Sequence, residues 1–288
     1  MPLLKVIVLA IVQGLAELLP VSSSAHVIVA EKLMGLDPSD PAMTLLLVML
    51  HTGTMFAVIV YFWRQWNDTF FKNTAAFKKF AVLVILATAL TLIVGELIIK
   101  IIERTVFAGL PKAQIEDLFG HLEIIAPALA AAGVLILIAG ILERRKPALS
   151  ADTGEMNAKQ AGIIGAIQGV CLPLRGFSRS GATISVGMLA GVAKVRAESF
   201  SFALAVVLTP AVVVRELLRL IHAEQAQQAS HLAAAILPSV LGAVFAFLAG
   251  LLALRWLSRW LEGGRWYLFG IYCLVAAATV AALHTMGY

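Results

Sequence analysis

The sequence contains little charge for its length. Only 14% of its 288 residues are Asp, Glu, Lys or Arg, and 60% are hydrophobic, whereas about 25% charged residues are usual in soluble domains. A soluble protein of this composition could not cover its surface with polar groups. The scarcity of charge therefore excludes a soluble globular enzyme and a disordered chain, and it indicates an integral membrane protein.

Cysteine is scarce as well, which excludes a secreted domain held together by disulfides. The two cysteines, Cys171 and Cys273, both lie in apolar stretches, so no disulfide framework is predicted. Basic residues outnumber acidic ones by 22 to 17. In an apolar chain such an excess usually marks cytoplasmic loops, so we expect the lipid bilayer as a partner and no nucleic acid.

Six apolar segments are long enough to cross a bilayer, which takes about 20 residues of helix. They are Met43–Trp63, Phe80–Ile102, Leu122–Leu142, Ser199–Ile221, Leu232–Leu254 and Trp266–His284. Two further apolar regions are interrupted, one at Pro20 to Ser24 and the other at Pro173 to Gly181. The arms around the second break, Ala161–Leu172 and Ala182–Ala193, would each be about 18 Å long as helices, too short for a hydrocarbon core of about 30 Å. We predict hairpins that enter and leave on one side, with the helix after the first break restarting near Ser24.

The two interrupted regions resemble each other. A Gln-Gly pair, Gln13-Gly14 or Gln168-Gly169, precedes each break, and a serine-containing loop and three spans follow it. Because three is odd, the second half must enter the membrane from the opposite side. We predict an all-α polytopic membrane protein with one domain, 1–288, built as an inverted-topology repeat. Repeat one is 1–150 and repeat two 155–288, each a re-entrant helix-loop-helix hairpin plus three transmembrane helices.

The distribution of basic residues orients this predicted fold. Most lysines and arginines fall within 64–79, 143–198 and 255–265, which the positive-inside rule assigns to the cytoplasm. The first hairpin then faces outside and the second enters from the cytoplasm. Their tips are predicted to meet near the membrane midplane.

The two tips carry the residues expected of an anion site. Glu17 precedes the first break, which is followed by Ser22, Ser23, Ser24 and His26; the second tip contains Ser178, Arg179, Ser180 and Thr183. Helix N-termini and glycine-lined loops present backbone N–H groups to anions, and arginine binds phosphate through two parallel hydrogen bonds. A carboxylate beside a phosphate needs a cation between them, typically Mg²⁺. The pattern predicts metal-assisted phosphoryl chemistry, with serine or histidine as nucleophile and Glu17 as base or metal ligand.

Each of these residues also has a purely structural interpretation. Serines in loops commonly cap helices, which would account for Ser22 and Ser24. Glu17 could serve only to pair with Arg179, and His26 could be a hydrogen-bonded core residue. We interpret His51, a lone polar group in an apolar span, as structural. A signal peptide over the first 25 residues is a further alternative, although polar residues interrupt its apolar stretch.

Two motifs resemble those of one known family. Gln13-x-x-x-Glu17 followed by Leu19-Pro20-Val21-Ser22-Ser23-Ser24-Ala25-His26, and Gly176-Phe177-Ser178-Arg179-Ser180-Gly181-Ala182-Thr183, are similar to the motifs of undecaprenyl-diphosphate phosphatases, the bacterial bacitracin-resistance proteins. The resemblance extends over nearly the whole chain. It implies hydrolysis of undecaprenyl diphosphate to undecaprenyl phosphate and inorganic phosphate, which recycles the lipid carrier of peptidoglycan synthesis. It also implies a divalent cation, Mg²⁺, as cofactor.

The resemblance also implies roles for individual residues. Glu17 would be the acid and metal ligand, Ser23 the nucleophile, and His26 and Arg179 further catalytic residues. Substrate contacts would come from Gln13, Ser22, Ser24, Ser178, Ser180, Gly181 and Thr183. We favour Ser23 over His26 as nucleophile because Ser23 is predicted to lie in the non-helical loop. The chain departs from the family where Gln13 replaces a frequent Glu and Arg175 a usual Pro.

The resemblance implies a location and leaves one alternative function. A multi-pass protein of the bacterial cell (inner) membrane is expected, with its active site facing the periplasm or exterior and a polyprenyl diphosphate lipid as partner. Whether it forms a homodimer is left open. Inverted repeats with broken helices are typical of transporters, so a carrier or flippase is the rival function. The Ser–His–Glu–Arg set favours an enzyme, because a carrier needs no nucleophile.

Overall fold

The computed structural model describes residues 2–36, 41–105, 121–145, 155–227 and 232–287. Within these ranges the regular elements are ten α-helices, without a strand. They are α1 (Leu3–Leu18), α2 (Ser23–Leu33), α3 (Pro41–Thr69), α4 (Thr74–Thr105), α5 (Leu122–Arg145), α6 (Ala158–Cys171), α7 (Arg179–Leu189), α8 (Lys194–Gln227), α9 (Leu232–Glu262) and α10 (Trp266–Thr285).

Five helices are long and apolar enough to cross a membrane: α3, α4, α5, α9 and α10. They contain five of the six predicted spans, and their exposed side chains include Ile85, Ile93, Leu237 and Val275, each more than 60% exposed. Such an apolar outer surface suits contact with lipid. The all-helical, multi-pass membrane architecture is thereby confirmed. The sixth predicted span, Ser199–Ile221, lies in α8, several of whose side chains fall outside the described set.

The short helices form two pairs at the places where the sequence predicted hairpins. The breaks contain Pro20 and Pro173, and proline lacks the N–H that a helix interior requires. The second helix of each pair begins at a serine N-cap: Ser22 accepts from the N–H of Ala25 and Ser178 from that of Gly181. The helix after the first break starts at Ser23, next to the predicted Ser24, whereas the predicted restart at Ala182 was wrong. The Ser178 cap satisfies free backbone donors, so α7 begins three residues earlier, at Arg179.

The two short pairs pack on the long helices in corresponding ways. Helix α1 packs on α9, and helix α6 packs on α4. Each short pair therefore contacts a long helix from the other half of the chain. A Cβ added at Gly14 would lie 2.7 Å from the carbonyl oxygen of Ala246, and one at Gly169 would lie 2.6 Å from that of Thr91. Both glycines of the repeated Gln-Gly pairs are thus required by close backbone contact between helices.

Buried aromatic residues fill the part of the core next to α7 and α8. Phe62 stacks on Trp66 and on Phe202. The indole N–H groups of Trp66 and Trp266 donate to serine hydroxyls at 2.9 and 3.0 Å. Because these buried donors are satisfied, the aromatic side chains support the helices around the loops without the cost of an unpaired polar group.

Candidate active site

The loops of the two short-helix pairs are in direct contact. The N–H of Gly176 donates to the Ser24 hydroxyl at 3.2 Å, and the Ser180 hydroxyl donates to the carbonyl oxygen of Leu19 at 3.3 Å. A third contact is the ion pair between Arg179 and Glu17, at 2.9 Å. Residues more than 150 positions apart in the sequence therefore form one site.

Glu17 is the centre of this site. Its Oε2 accepts hydrogen bonds from Ser23 Oγ at 2.5 Å and from Gln13 Nε2 at 3.2 Å, while its Oε1 accepts from Arg179 Nη2. His51 Nε2 lies 3.8 Å from Oε2. The Glu17 side chain is only 18% exposed, and a carboxylate so shielded is stable as an anion only when it is paired. Arg179 supplies that pairing charge.

Ser23 is directed at Glu17 by an unusual backbone turn at Ser22. Ser22 has φ +67°, in the left-handed region, and is the one non-glycine among the described residues with a positive φ. Such a conformation costs about 1–3 kcal/mol and is often found at functional sites. Ser23 itself is the first residue of α2, so the expectation that it lies in non-helical backbone was wrong. The strained turn falls one residue earlier.

The imidazole of His26 contacts groups other than the Ser23 hydroxyl. Its Nδ1 lies 2.8 Å from the carbonyl oxygen of Ser22, and its Nε2 lies 2.7 Å from the hydroxyl of Tyr272. The imidazole and phenol rings are stacked, with centroids 5.7 Å apart and planes 12° apart. Both ring nitrogens therefore have partners other than the Ser23 hydroxyl, which is bonded to Glu17.

Arg179 has one guanidinium nitrogen that is free to bind an anion. Its Nη2 contacts Glu17, whereas its Nη1 is buried and has no hydrogen-bond partner among the described residues. Leaving a buried charged donor unsatisfied costs free energy, and a phosphate oxygen would satisfy it. Arg179 is also the first residue of α7, and the N-terminus of a helix favours bound anions.

Most of the other residues expected to touch substrate have partners within the protein. Ser22 and Ser178 cap helices, the alternative that the sequence left open for Ser22. Ser24 does not cap a helix: its Oγ lies 3.2 Å from Ser22 Oγ and accepts from the second loop. Thr183 is fully buried, donates to the carbonyl oxygen of Arg179 at 2.8 Å and lies 2.6 Å from the Ser201 hydroxyl.

Gly181 shapes the second loop through packing. A Cβ added there would lie 2.6 Å from Ile136 Cδ1 and 3.0 Å from Ser178 Oγ. Its N–H is held by that same Ser178 hydroxyl, at 3.2 Å. Among the described residues of the second loop, Arg179 thus has a buried polar atom, Nη1, without a hydrogen-bond partner.

Comparison with known proteins identifies the family of this chain. A family model described as "Bacitracin resistance protein BacA" matches residues 6–279. The chain belongs to the BacA family. A relative from Acinetobacter baylyi named Undecaprenyl-diphosphatase 2 is 58% identical over 286 residues, which are 98% of either chain. A Burkholderia ambifaria protein of the same name is 34% identical, with 96% of this chain and 95% of that protein covered. A Burkholderia pseudomallei Undecaprenyl-diphosphatase 1 is 35% identical, with the same coverage.

Two residues of this candidate site were missed by sequence reasoning. His51 was interpreted as structural, yet it lies beside Glu17; a lone imidazole in a charge-free span is a signal that could have identified it. Tyr272 was not singled out at all. It lies 246 residues from His26 in the sequence, and nothing in the local pattern around it indicates that contact.

The carboxylate and imidazoles of the site would need oxygens from a substrate to hold a cation. No group of three or more His, Cys, Asp or Glu side chains is clustered within the part of the chain that the structure describes. Glu17 is the carboxylate at this site, with the Gln13 amide beside it. Mg²⁺ is commonly held by one or two carboxylates, substrate phosphates and water, so Glu17 fits Mg²⁺ when a diphosphate supplies the remaining oxygens.

Proposed function

We propose that this protein hydrolyses undecaprenyl diphosphate to undecaprenyl phosphate and inorganic phosphate. Membership of the BacA family and the name of the 58% identical relative support this activity. The observation that carries it is the shielded trio of Ser23, Glu17 and Arg179 at the contact of the two loops. The reaction recycles the lipid carrier of peptidoglycan synthesis, and more enzyme confers resistance to bacitracin.

The geometry supports Ser23 as nucleophile and Glu17 as its base. The Ser23 hydroxyl donates to the Glu17 carboxylate at 2.5 Å, close enough for direct proton transfer. Ser23 Oγ would give its proton to Glu17 and form a bond to the terminal phosphorus while the bond to the bridging oxygen breaks; Glu17 would then pass this proton to the bridging oxygen as undecaprenyl phosphate leaves. Water would then attack the phosphoserine, with Glu17 taking a proton from the water and returning it to Ser23 Oγ as inorganic phosphate is released.

Arg179 and the start of α7 would hold the phosphate oxygens. The buried Nη1 of Arg179 is available for this contact, and preorganised donors are worth most where water is excluded. The other hydroxyls of the two loops keep these groups in place. The contact between a serine hydroxyl and a carboxylate favours a hydrolase over a lipid carrier, because a carrier requires no nucleophile.

Mg²⁺ is part of this proposal. Glu17 and the phosphates of the substrate would hold it, with Gln13 orienting the carboxylate through its amide at 3.2 Å. When bound, the ion would neutralise charge that develops on the phosphate oxygens.

The decisive assay is phosphate release by purified protein in nanodiscs with undecaprenyl diphosphate and Mg²⁺. Ser23→Ala should be inactive. Ser258→Ala is the matched control, because that hydroxyl also donates to a buried carboxylate, Glu198, at 2.7 Å, yet belongs to a different cluster. Acid quenching of the wild type should trap phosphoserine. An acid-labile phosphoenzyme that persists in Ser23→Ala would assign the nucleophile elsewhere, and a wild type that releases no phosphate would refute the function.

The finer architecture belongs to the same proposal: an inverted-topology repeat with re-entrant hairpins in the bacterial inner membrane, its active site facing outward. The reciprocal packing of α1 on α9 and of α6 on α4 supports it. So does the ion pair between Lys79 and Glu155, which brings two basic segments to one side. In a cysteine-free background, an impermeant thiol reagent should label His121→Cys in intact cells and Asn73→Cys only after lysis. The reverse pattern would contradict the orientation.

A further inference from the structure

Tyr272 connects the surface of α10 to the site. Its side chain is 47% exposed on a helix long and apolar enough to cross the membrane. Its hydroxyl nevertheless lies 2.7 Å from His26 Nε2, and the two rings are stacked. A tyrosine that needed only to face lipid or the interface would not require both contacts.

The direction of the hydrogen bonds follows from their acceptors. His26 Nδ1 lies 2.8 Å from the carbonyl oxygen of Ser22, and a carbonyl oxygen only accepts, so Nδ1 carries the proton. In a neutral imidazole the other nitrogen is then an acceptor. The Tyr272 hydroxyl therefore donates to Nε2, and a chain of two hydrogen bonds runs from Tyr272 through His26 to the Ser22 backbone.

This chain ends at the strained turn that places the nucleophile. Ser22 has φ +67°, a region that L side chains rarely adopt. Its carbonyl oxygen also accepts the backbone N–H of His26, at 3.4 Å. The next residue, Ser23, donates to Glu17 at 2.5 Å. A rotation of the Ser22 peptide would move the Ser23 hydroxyl away from its base.

We propose that Tyr272 is a positioning residue, which acts through His26 to hold the Ser22 turn that places the Ser23 hydroxyl on Glu17. The expected effect of Tyr272 on kcat rests on the proposed phosphatase function, whereas the contact between Tyr272 and His26 does not depend on that function. Tyr272 takes no part in a chemical step of the reaction. It orients the His26 imidazole, which in turn holds the Ser22 peptide group.

The first test is the variant Tyr272→Phe, which keeps the ring and removes the hydroxyl. Tyr267→Phe is the matched control on the same helix, since the Tyr267 ring packs on the Arg144 guanidinium, 4.9 Å from the ring centre. We expect kcat to fall about 10-fold in Tyr272→Phe, with KM within about twofold, because small misplacements of reacting groups are costly. Tyr267→Phe should match the wild type. Unchanged kcat in Tyr272→Phe would overturn the proposal.

A double-mutant cycle tests whether Tyr272 acts through His26. In the His26→Ala background the hydroxyl has no imidazole to orient, so Tyr272→Phe should have no further effect on kcat. A further loss of about 10-fold in that background would show that Tyr272 acts by another route, and would overturn the assignment.

NMR spectroscopy tests the contact between Tyr272 and His26 without requiring enzyme turnover. In protein labelled with ¹⁵N-histidine and held in nanodiscs, the His26 signals are identified by their loss in His26→Ala. Tyr272→Phe should shift the Nε2 resonance and leave Nδ1 protonated, whereas Tyr267→Phe should change neither. An unmoved Nε2 resonance would refute the contact. If the wild type failed to release phosphate, only the proposed function would fail, because the NMR result would still decide the contact.

Discussion

The two loops that meet at the site are built alike and carry different chemistry. Each follows a helix with a Gln-Gly pair, and each ends at a serine that caps the next helix, Ser22 in one and Ser178 in the other. The first residue of that next helix is Ser23 in the first loop and Arg179 in the second. Corresponding positions thus supply the proposed nucleophile and the cation that would bind its target.

The helices before the loops differ in the same way. Four residues after Gln13 comes Glu17, and four residues after Gln168 comes Leu172. Gln13 donates to Glu17, whereas Gln168 donates to the Thr91 hydroxyl at 3.2 Å. The two loops therefore share a similar scaffold, and single residues distinguish the chemical groups that each loop presents. Substitutions at corresponding positions of the two helix pairs test this difference between the loops.

After the inactive Ser23→Ala, the largest effect is expected from Glu17. Glu17→Gln keeps the size of the side chain and removes the proposed base, the charge that pairs with Arg179 and the expected metal ligand. We expect kcat to fall by at least about 10³-fold, more than the range for a general base alone. Leu172→Gln, at the corresponding position of the second pair, should retain most activity. Comparable losses in both variants would mean that the halves share the chemistry.

Activity should depend on Arg179 nearly as strongly as on Glu17, and more on the geometry of the guanidinium group than on its charge. Arg179→Lys keeps the positive charge but cannot contact Glu17 and a phosphate oxygen through two nitrogens of one planar group. Phosphate release should fall about 10²- to 10³-fold while the protein still folds. Arg175→Lys, four residues earlier in the same loop region, should cost far less. Near-normal turnover of Arg179→Lys would show that a point charge suffices.

His26 is expected to rank next. Because its nitrogens bond to Ser22 and Tyr272, we expect His26→Ala to lower kcat about 10²-fold through misplacement of Ser23 and to leave measurable turnover. Its counterpart in the second half, counted from the capping serine, is Ala182, which has no side chain to fill that role. Complete loss of turnover, with loss of the trapped phosphoenzyme, would identify His26 as the nucleophile instead.

The residues proposed to react were more predictable from the sequence than the contacts that hold them. Glu17, Ser23 and Arg179 stand out because ionisable and hydroxyl groups at breaks in apolar helices are rare. The contact of His26 with Tyr272 depends on how α2 and α10 lie in space, which no local pattern encodes. Thr183 was expected at the substrate because the resemblance matches it to a hydroxyl of the second motif, but one helical turn after Arg179 its hydroxyl faces α8 and Ser201.

The smallest expected effect comes from the repeated glutamines. Gln13→Leu removes a hydrogen bond to a carboxylate, worth about 1.5 kcal/mol, so kcat should fall about 10-fold as Glu17 loses its orientation. Gln168→Leu removes a bond to Thr91, whose hydroxyl still donates to the carbonyl oxygens of Ala87 and Gly165. The buried Oε1 of Gln168 has no partner among the described residues, so replacing this amide by Leu removes an unsatisfied group as well as a hydrogen bond. We therefore expect an unfolding free energy within about 1 kcal/mol of the wild type and unchanged kcat.

Thermal unfolding in detergent and phosphate release on the same samples measure both the unfolding free energy and kcat. Equal losses of kcat in the two variants would show that each glutamine supports the scaffold, and that the difference between the halves lies only at the loops.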